Sequence, residues 1–158
     1  MQKHNNRFMI GATLILATAM VARAGEEKIP PDKLPKAVVD AVKVRFPDGK
    51  VTSATKETKN GQDIYNVELN QKEHKYEASV KENGTLIEVA KEIAIKDVPS
   101  NVTKGVETKY PKSTIREAME VDKVNGKEEK PDHYAITIET SDKKTIVVTA
   151  SLDGKKVE

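Results

Sequence analysis

Few residues in this chain have the type and spacing to do chemistry. His133 follows Glu128, Glu129 and Asp132, and His74 follows Glu73. Imidazole beside carboxylates is a donor set for zinc, which needs three or four converging ligands. The acidic segment around His133 is the candidate for binding a cation or small ligand, although it lacks the D-x-D-x-D spacing of a calcium loop. Glu68 and Glu77 fall on neighbouring strands, where paired carboxylates could do general acid–base work. In a chain with 25 acidic side chains, such a pair reads as part of a charged face. Nucleophilic catalysis has no starting point: there is no cysteine, no G-x-S-x-G, and no serine suggestively spaced from either histidine. No pattern calls for a cofactor, and the chain reads as a non-enzyme. Asn83-Gly84-Thr85 and Asn101-Val102-Thr103 match the glycosylation sequon. The first reads as a turn and the second as helix.

These residues must be positioned by a repeat. Leu34-Pro35, Val38, Val42 and Phe46-Pro47 recur as Val98-Pro99, Val102, Val106 and Tyr110-Pro111, at a constant offset of 64. Apolar side chains four apart, with Ala41 and Gly105 between them, form one stripe on a helix. The leading proline suits a first turn that has no use for its N–H, and the second proline stops the helix. Gly105 in mid-helix costs about 1 kcal/mol against alanine, and reads as room for close packing on a sheet.

Strands follow each helix. Tyr65, Val67 and Leu69 alternate with polar residues, as do Tyr134, Ile136 and Ile138. Tyr76, Ala78 and Val80 answer to Ile146, Val148 and Ala150. Alternation of this kind buries one face and wets the other. Val51 to Thr58 and Ile115 to Val124 read as first strands, and Thr85 to Ile95 as a long fourth one. Asn60-Gly61, Asn83-Gly84, Asn125-Gly126 and Asp153-Gly154 supply hairpin turns. The second copy carries a longer loop, Asn125 to Asp132.

The first 24 residues have a different purpose. Lys3 and Arg7 precede the apolar run Phe8–Ala22, and Ala22-Arg23-Ala24 places small residues where a signal peptidase reads them. Fifteen helical residues reach about 22 Å, short of the ~30 Å hydrocarbon core, so the segment reads as a cleaved leader. No stable membrane anchor is expected after cleavage. The leader holds Lys3, Arg7 and Arg23 and no acid, so 27 basic side chains fall to 24 against 25 acidic ones. The basic balance thus belongs to the leader and points to no nucleic-acid partner.

The Leu/Val-Pro starts, valine-striped helices, aromatic-Pro stops, the strand led by Tyr65 and the Asn/Asp-Gly turns resemble the PepSY-like family, secreted domains that are similar to the β-lactamase inhibitor protein. The resemblance covers residues 34–158. It implies a secreted α+β protein, and the sequence is read as two tandem repeats of one helix packed on a four-stranded antiparallel sheet. The expected divisions are a signal peptide at 1–24, a tether at 25–33, and repeats at 34–95 and 96–158. The resemblance also implies a periplasmic or extracellular location and a non-catalytic role, binding or modulating an unidentified extracytoplasmic protein such as a peptidase.

Each helix leaves the other face of its sheet open, and that face is the candidate partner surface. Its residues are Asn66, Glu68, Glu77, Ser79, Lys81, Thr137, Glu139 and Thr149, with Val147 and Ser151 beside them. All five aromatics after the leader fall on core positions and there is no tryptophan, so this face suits charge-guided contact better than tight inhibition.

Overall fold

The computed structural model describes residues 26–158. The leader and its cleavage site at Ala24 therefore lie outside the described residues. The two helices, α1 (Lys36–Arg45) and α2 (Ser100–Lys109), start and stop 64 residues apart. Pro35 and Pro99 stand just before the first helical residue, and their carbonyls accept the N–H of Val39 and Thr103. Phe46 and Tyr110 close the helices by donating their N–H to Val42 and Val106 at 2.8 Å.

The strands are β1 (Glu27–Lys28), β2 (Lys50–Lys59), β3 (Gln62–Gln71), β4 (His74–Lys81), β5 (Leu86–Ile93), β6 (Thr114–Asn125), β7 (Glu128–Glu139) and β8 (Thr145–Ser151). They pair in chain order, every pair antiparallel, as one eight-stranded sheet. This corrects the expectation of two helix-plus-four-strand units. β5, read as the last strand of the first unit, pairs along six residues with β6, from Glu88↔Lys123 to Ile93↔Ala118. The physical reason lies in β5 itself. Val89 and Ala90 point to opposite faces and both are buried, as in an interior strand rather than an edge. Leaving β5 as an edge would also expose its row of backbone N–H and C=O groups, which β6 satisfies.

Both helices lie on the same face. Val38, Val42 and Phe46 of the α1 unit pack on Ala54, Tyr65, Val67, Leu69, Ala78, Val80 and Val89. Val102 and Val106 pack on Ala118, Ile136, Ile138, Val148 and Ala150. Val124 of β6 joins the α1 cluster, so the seam is packed from both halves. The sheet curls away from the helices into a half-barrel, because residues from β2 through β8 line a single cleft on the opposite side.

Two further segments differ from expectation. Glu27 and Lys28, within the presumed tether, pair with Lys56 and Thr55 as a short edge strand. Asn125 to Asp132 is no loop: β6 and β7 continue as a hairpin to Asn125↔Glu128. Pro131 lies inside this hairpin beside a register shift at Val121/Asp122, where a strand tolerates proline.

Candidate functional site

The open face of the sheet forms a cleft of about 150 Å³. Period-two alternation aims every second side chain of β2 to β8 into it, while the intervening ones build the helix-side core. Five of the eight residues expected on the partner surface line this cleft: Asn66, Glu68, Glu77, Ser79 and Thr137. The other three lie elsewhere. Lys81 lines a shallow depression with Asp63 and Glu82 near the β3 start. Glu139 is held by Arg116 and Lys143, each at 2.9 Å. Thr149, an exposed residue beside Ala135, exchanges backbone hydrogen bonds with Glu158.

The floor is a row of directly opposed residues, Thr55↔Asn66↔Ser79↔Glu88, crossing β2 to β5. Ser79 Oγ donates to Asn66 Oδ1 at 2.8 Å, and Asn66 Nδ2 donates to Glu57 Oε1 at 3.2 Å. In the next row Glu68 stands opposite Glu77, and like charges so placed repel. Ser53 Oγ relieves Glu68 by donating to Oε2 at 2.7 Å.

Lys75 adds the counter-charge from β4, reaching Glu117 of β6 at 2.7 Å and so bridging the two halves of the sheet. Burial works against its ammonium, yet the hydrogen bond to Glu117 and the fields of Glu117, Glu68 and Glu92 outweigh it and raise its pKa. Beyond this bridge the cleft becomes apolar, with Ala90, Met119, Val121, Ala135 and Val147.

Sequence reasoning missed Thr55, Lys75, Glu88, Glu117 and His133 as members of this face. For Thr55 and Glu117 the signal was available, since β2 and β6 alternate as β3 and β7 do, but those strands were read only as spans, with no face assigned. His133 lines the cleft and its Nδ1 lies 2.8 Å from Asp132. His74 is exposed at the start of β4, edge-on to Tyr76 at 6.4 Å. Neither histidine is hydrogen-bonded to a serine among the described residues.

The acids of the β6–β7 hairpin do not converge. Glu128 pairs with Lys130, Glu129 with Arg45 of α1, and Asp132 with both Lys123 and His133. Hydrogen bonds from His133 first, then Lys123, hold the Asp132 carboxyl below its usual range. Among the described residues no group of three or more His, Asp or Glu side chains is placed to hold a metal ion. The arrangement offers recognition by charge and hydrogen bonding.

Comparison with known proteins agrees with this geometry. The family described as putative beta-lactamase-inhibitor-like, PepSY-like matches the chain twice, over residues 20–88 and 63–154. Among solved structures, a putative periplasmic protein from Bacteroides eggerthii matches with a TM-score of 0.56 at 11% identity, over 78% of this chain and 87% of that one. A DUF2874 family protein from Bacteroides uniformis matches with a TM-score of 0.56 at 11% identity, over 78% and 88%. A BLIP-like protein from Bacteroides fragilis is 18% identical over 82% and 84%, with a TM-score of 0.48. Among curated proteins none matches.

Proposed function

The chain belongs to the PepSY-like family, and from that premise we propose that it is an exported, non-catalytic module that binds an extracytoplasmic protein through the open face of its sheet. One observation carries the reading: two helices pack on one face, while the opposite face, free among the described residues, is curved into a cleft spanning seven strands. Folding alone does not require such a surface, because the core is complete without it. The leader supports export, and the solved relatives named as periplasmic agree with a periplasmic location. The inhibitor-like family description supports binding or inhibition of a protein, and among the described residues no serine is hydrogen-bonded to a histidine, in keeping with a role without catalysis. The charge balance left after leader removal supports a protein partner rather than nucleic acid.

Site-specific cross-linking tests the surface. A photoreactive side chain at Thr137, inside the cleft, should capture protein in the native envelope fraction. The same group at Val44, on the outer side of α1 and 85% exposed, should not. Equal capture from both positions would overturn the assignment. Export is tested separately: the intact mass of secreted protein should correspond to a chain starting at Gly25, and retention of Met1 to Ala24 would refute cleavage.

A further inference from the structure

The described chain has three buried polar residues, Thr55, Asn66 and Ser79, exposed by 6%, 6% and 8%. They are consecutive in one cross-strand row, and all three line the cleft. Burying polar groups is unfavourable unless they are hydrogen-bonded. Their neighbours on the helix side, Ala54, Val67 and Ala78, are apolar, so this stretch of the sheet turns its polar row to the cleft. From this row we propose that the cleft seats an arginine side chain projected by the partner protein, an inference that rests on the open-face reading above.

The hydrogen-bond inventory points to a donor-rich ligand. Ser79 spends its one proton on Asn66, leaving its oxygen lone pairs as acceptors, and Asn66 gives one of its two amide N–H groups to Glu57 while its Oδ1 keeps a second lone pair. Thr55, next in the row, adds a hydroxyl oxygen that can accept as well as donate. Charge points the same way. Glu26, Glu68, Glu77, Glu88 and Glu117 line the cleft against one lysine, Lys75, whose ammonium is held by Glu117. A guanidinium supplies five N–H donors in a planar fork and a charge that carboxylates strengthen. Beside the floor, Ala90, Met119 and Val121 offer an apolar bed for the methylene stem. The cavity of about 150 Å³ holds roughly five waters at ~30 Å³ each, room for one long side chain.

The test titrates the isotope-labelled chain with N-acetyl-arginine amide, and with N-acetyl-citrulline amide as the uncharged isostere. The arginine probe is expected to move the amide signals of Thr55, Asn66 and Ser79 saturably, with the citrulline probe binding at least about tenfold more weakly. Thr55→Val with Ser79→Ala should abolish the response. Glu88→Gln, at the rim of the row and harmless to the core, should weaken it. Equal binding of citrulline, arginine shifts confined to other residues, preference for calcium over the arginine probe, or row signals that move on diluting the chain alone would each overturn the proposal. Capture from Thr137 that persists while the arginine probe fails removes only the ligand. Loss of capture removes the surface itself.

Discussion

Gly105 of α2 and Gly154 of the turn after β8 meet backbone to backbone: a Cβ on Gly105 would run into the Gly154 carbonyl oxygen. Glycine in mid-helix ordinarily costs about 1 kcal/mol, so Gly105→Ala would ordinarily stabilise. Here the added methyl has no room and must push the helix off the turn. Gly105→Ala should therefore destabilise by about 1–3 kcal/mol, the range for overpacking, as read from urea melts. Ala41, its counterpart in α1, is the control, where Ala41→Gly should show only the ordinary cost of about 1 kcal/mol. Stabilisation by Gly105→Ala would contradict the contact.

Acid sensitivity follows from the surface carboxylates. Lys56, then Thr58, holds Asp63 below its usual value; His133, then Lys123, does so for Asp132; Lys143, then Arg116, for Glu139. Lys144, then Thr140, brings Asp142 to about 2. A carboxyl depressed in the folded state stabilises above its unfolded pKa and loses that contribution as pH falls through the folded value. Melting temperature should thus fall between about pH 4 and pH 2. The fall should shrink in about 1 M salt, because Asp142 is exposed and the others are partly so, and salt screens them. A flat profile down to pH 2 would show that these ion pairs contribute nothing.

Asp122 has the opposite sign. Its Oδ1 is buried without a hydrogen-bond partner on the helix side of the seam. Burial first, and the neighbouring Glu129 second, push its pKa up, with Arg45 opposing them. A carboxyl raised in the folded state favours the fold when protonated, and this contribution is lost as pH rises through the folded value. Asp122→Asn should therefore raise the urea midpoint at pH 7 and give no advantage near pH 3. A loss of stability at pH 7 would mean that attraction to Arg45 outweighs burial.

Much of this architecture was legible because it is local. Val38, Val42, Val102 and Val106 repeat at helical spacing, and all four are buried. Asn60-Gly61 has the two positive φ angles that a tight hairpin turn needs, 52° and 73°. Pairing between halves was harder to read, because period-two alternation says which face a residue occupies and not which strand lies beside it. The available signal was the adjacent pair Val89 and Ala90, apolar on both faces, which marks an interior strand. The same limit applies to the site. Asn66 and Ser79 were legible as outward residues, but their meeting with Thr55 and Glu88 in one row depends on pairings set by the whole sheet.

The β6–β7 hairpin supplies the last prediction. As an irregular acidic loop it could gather Glu128, Glu129, Asp132 and His133 around a cation. As a hairpin it divides them, since strand residues alternate between faces and the extra residue at Asp132 reverses that alternation between Glu129 and His133. Glu129 turns to the helix side and meets Arg45 at 2.8 Å, while His133 turns into the cleft. Asp132, at the register shift, is held between Lys123 and His133. A divalent ion would have to displace these cations and draw together carboxylates on different faces. A ligand that binds only the folded state raises stability by RT ln(1 + [L]/Kd), about 2.7 kcal/mol at a hundredfold excess. Thermal melts with added calcium or zinc should therefore superimpose on melts with chelator, at neutral pH and low salt. Replacing Glu128, Asp132 and His133 together with alanine should leave that null result unchanged. Glu129→Gln should cost about 0.2–1 kcal/mol through the lost Arg45 pair, the range for a partly exposed bridge. A metal-dependent rise in melting temperature that the triple replacement removes would show that the hairpin opens to gather its acids, and would make cation binding a property of this fold.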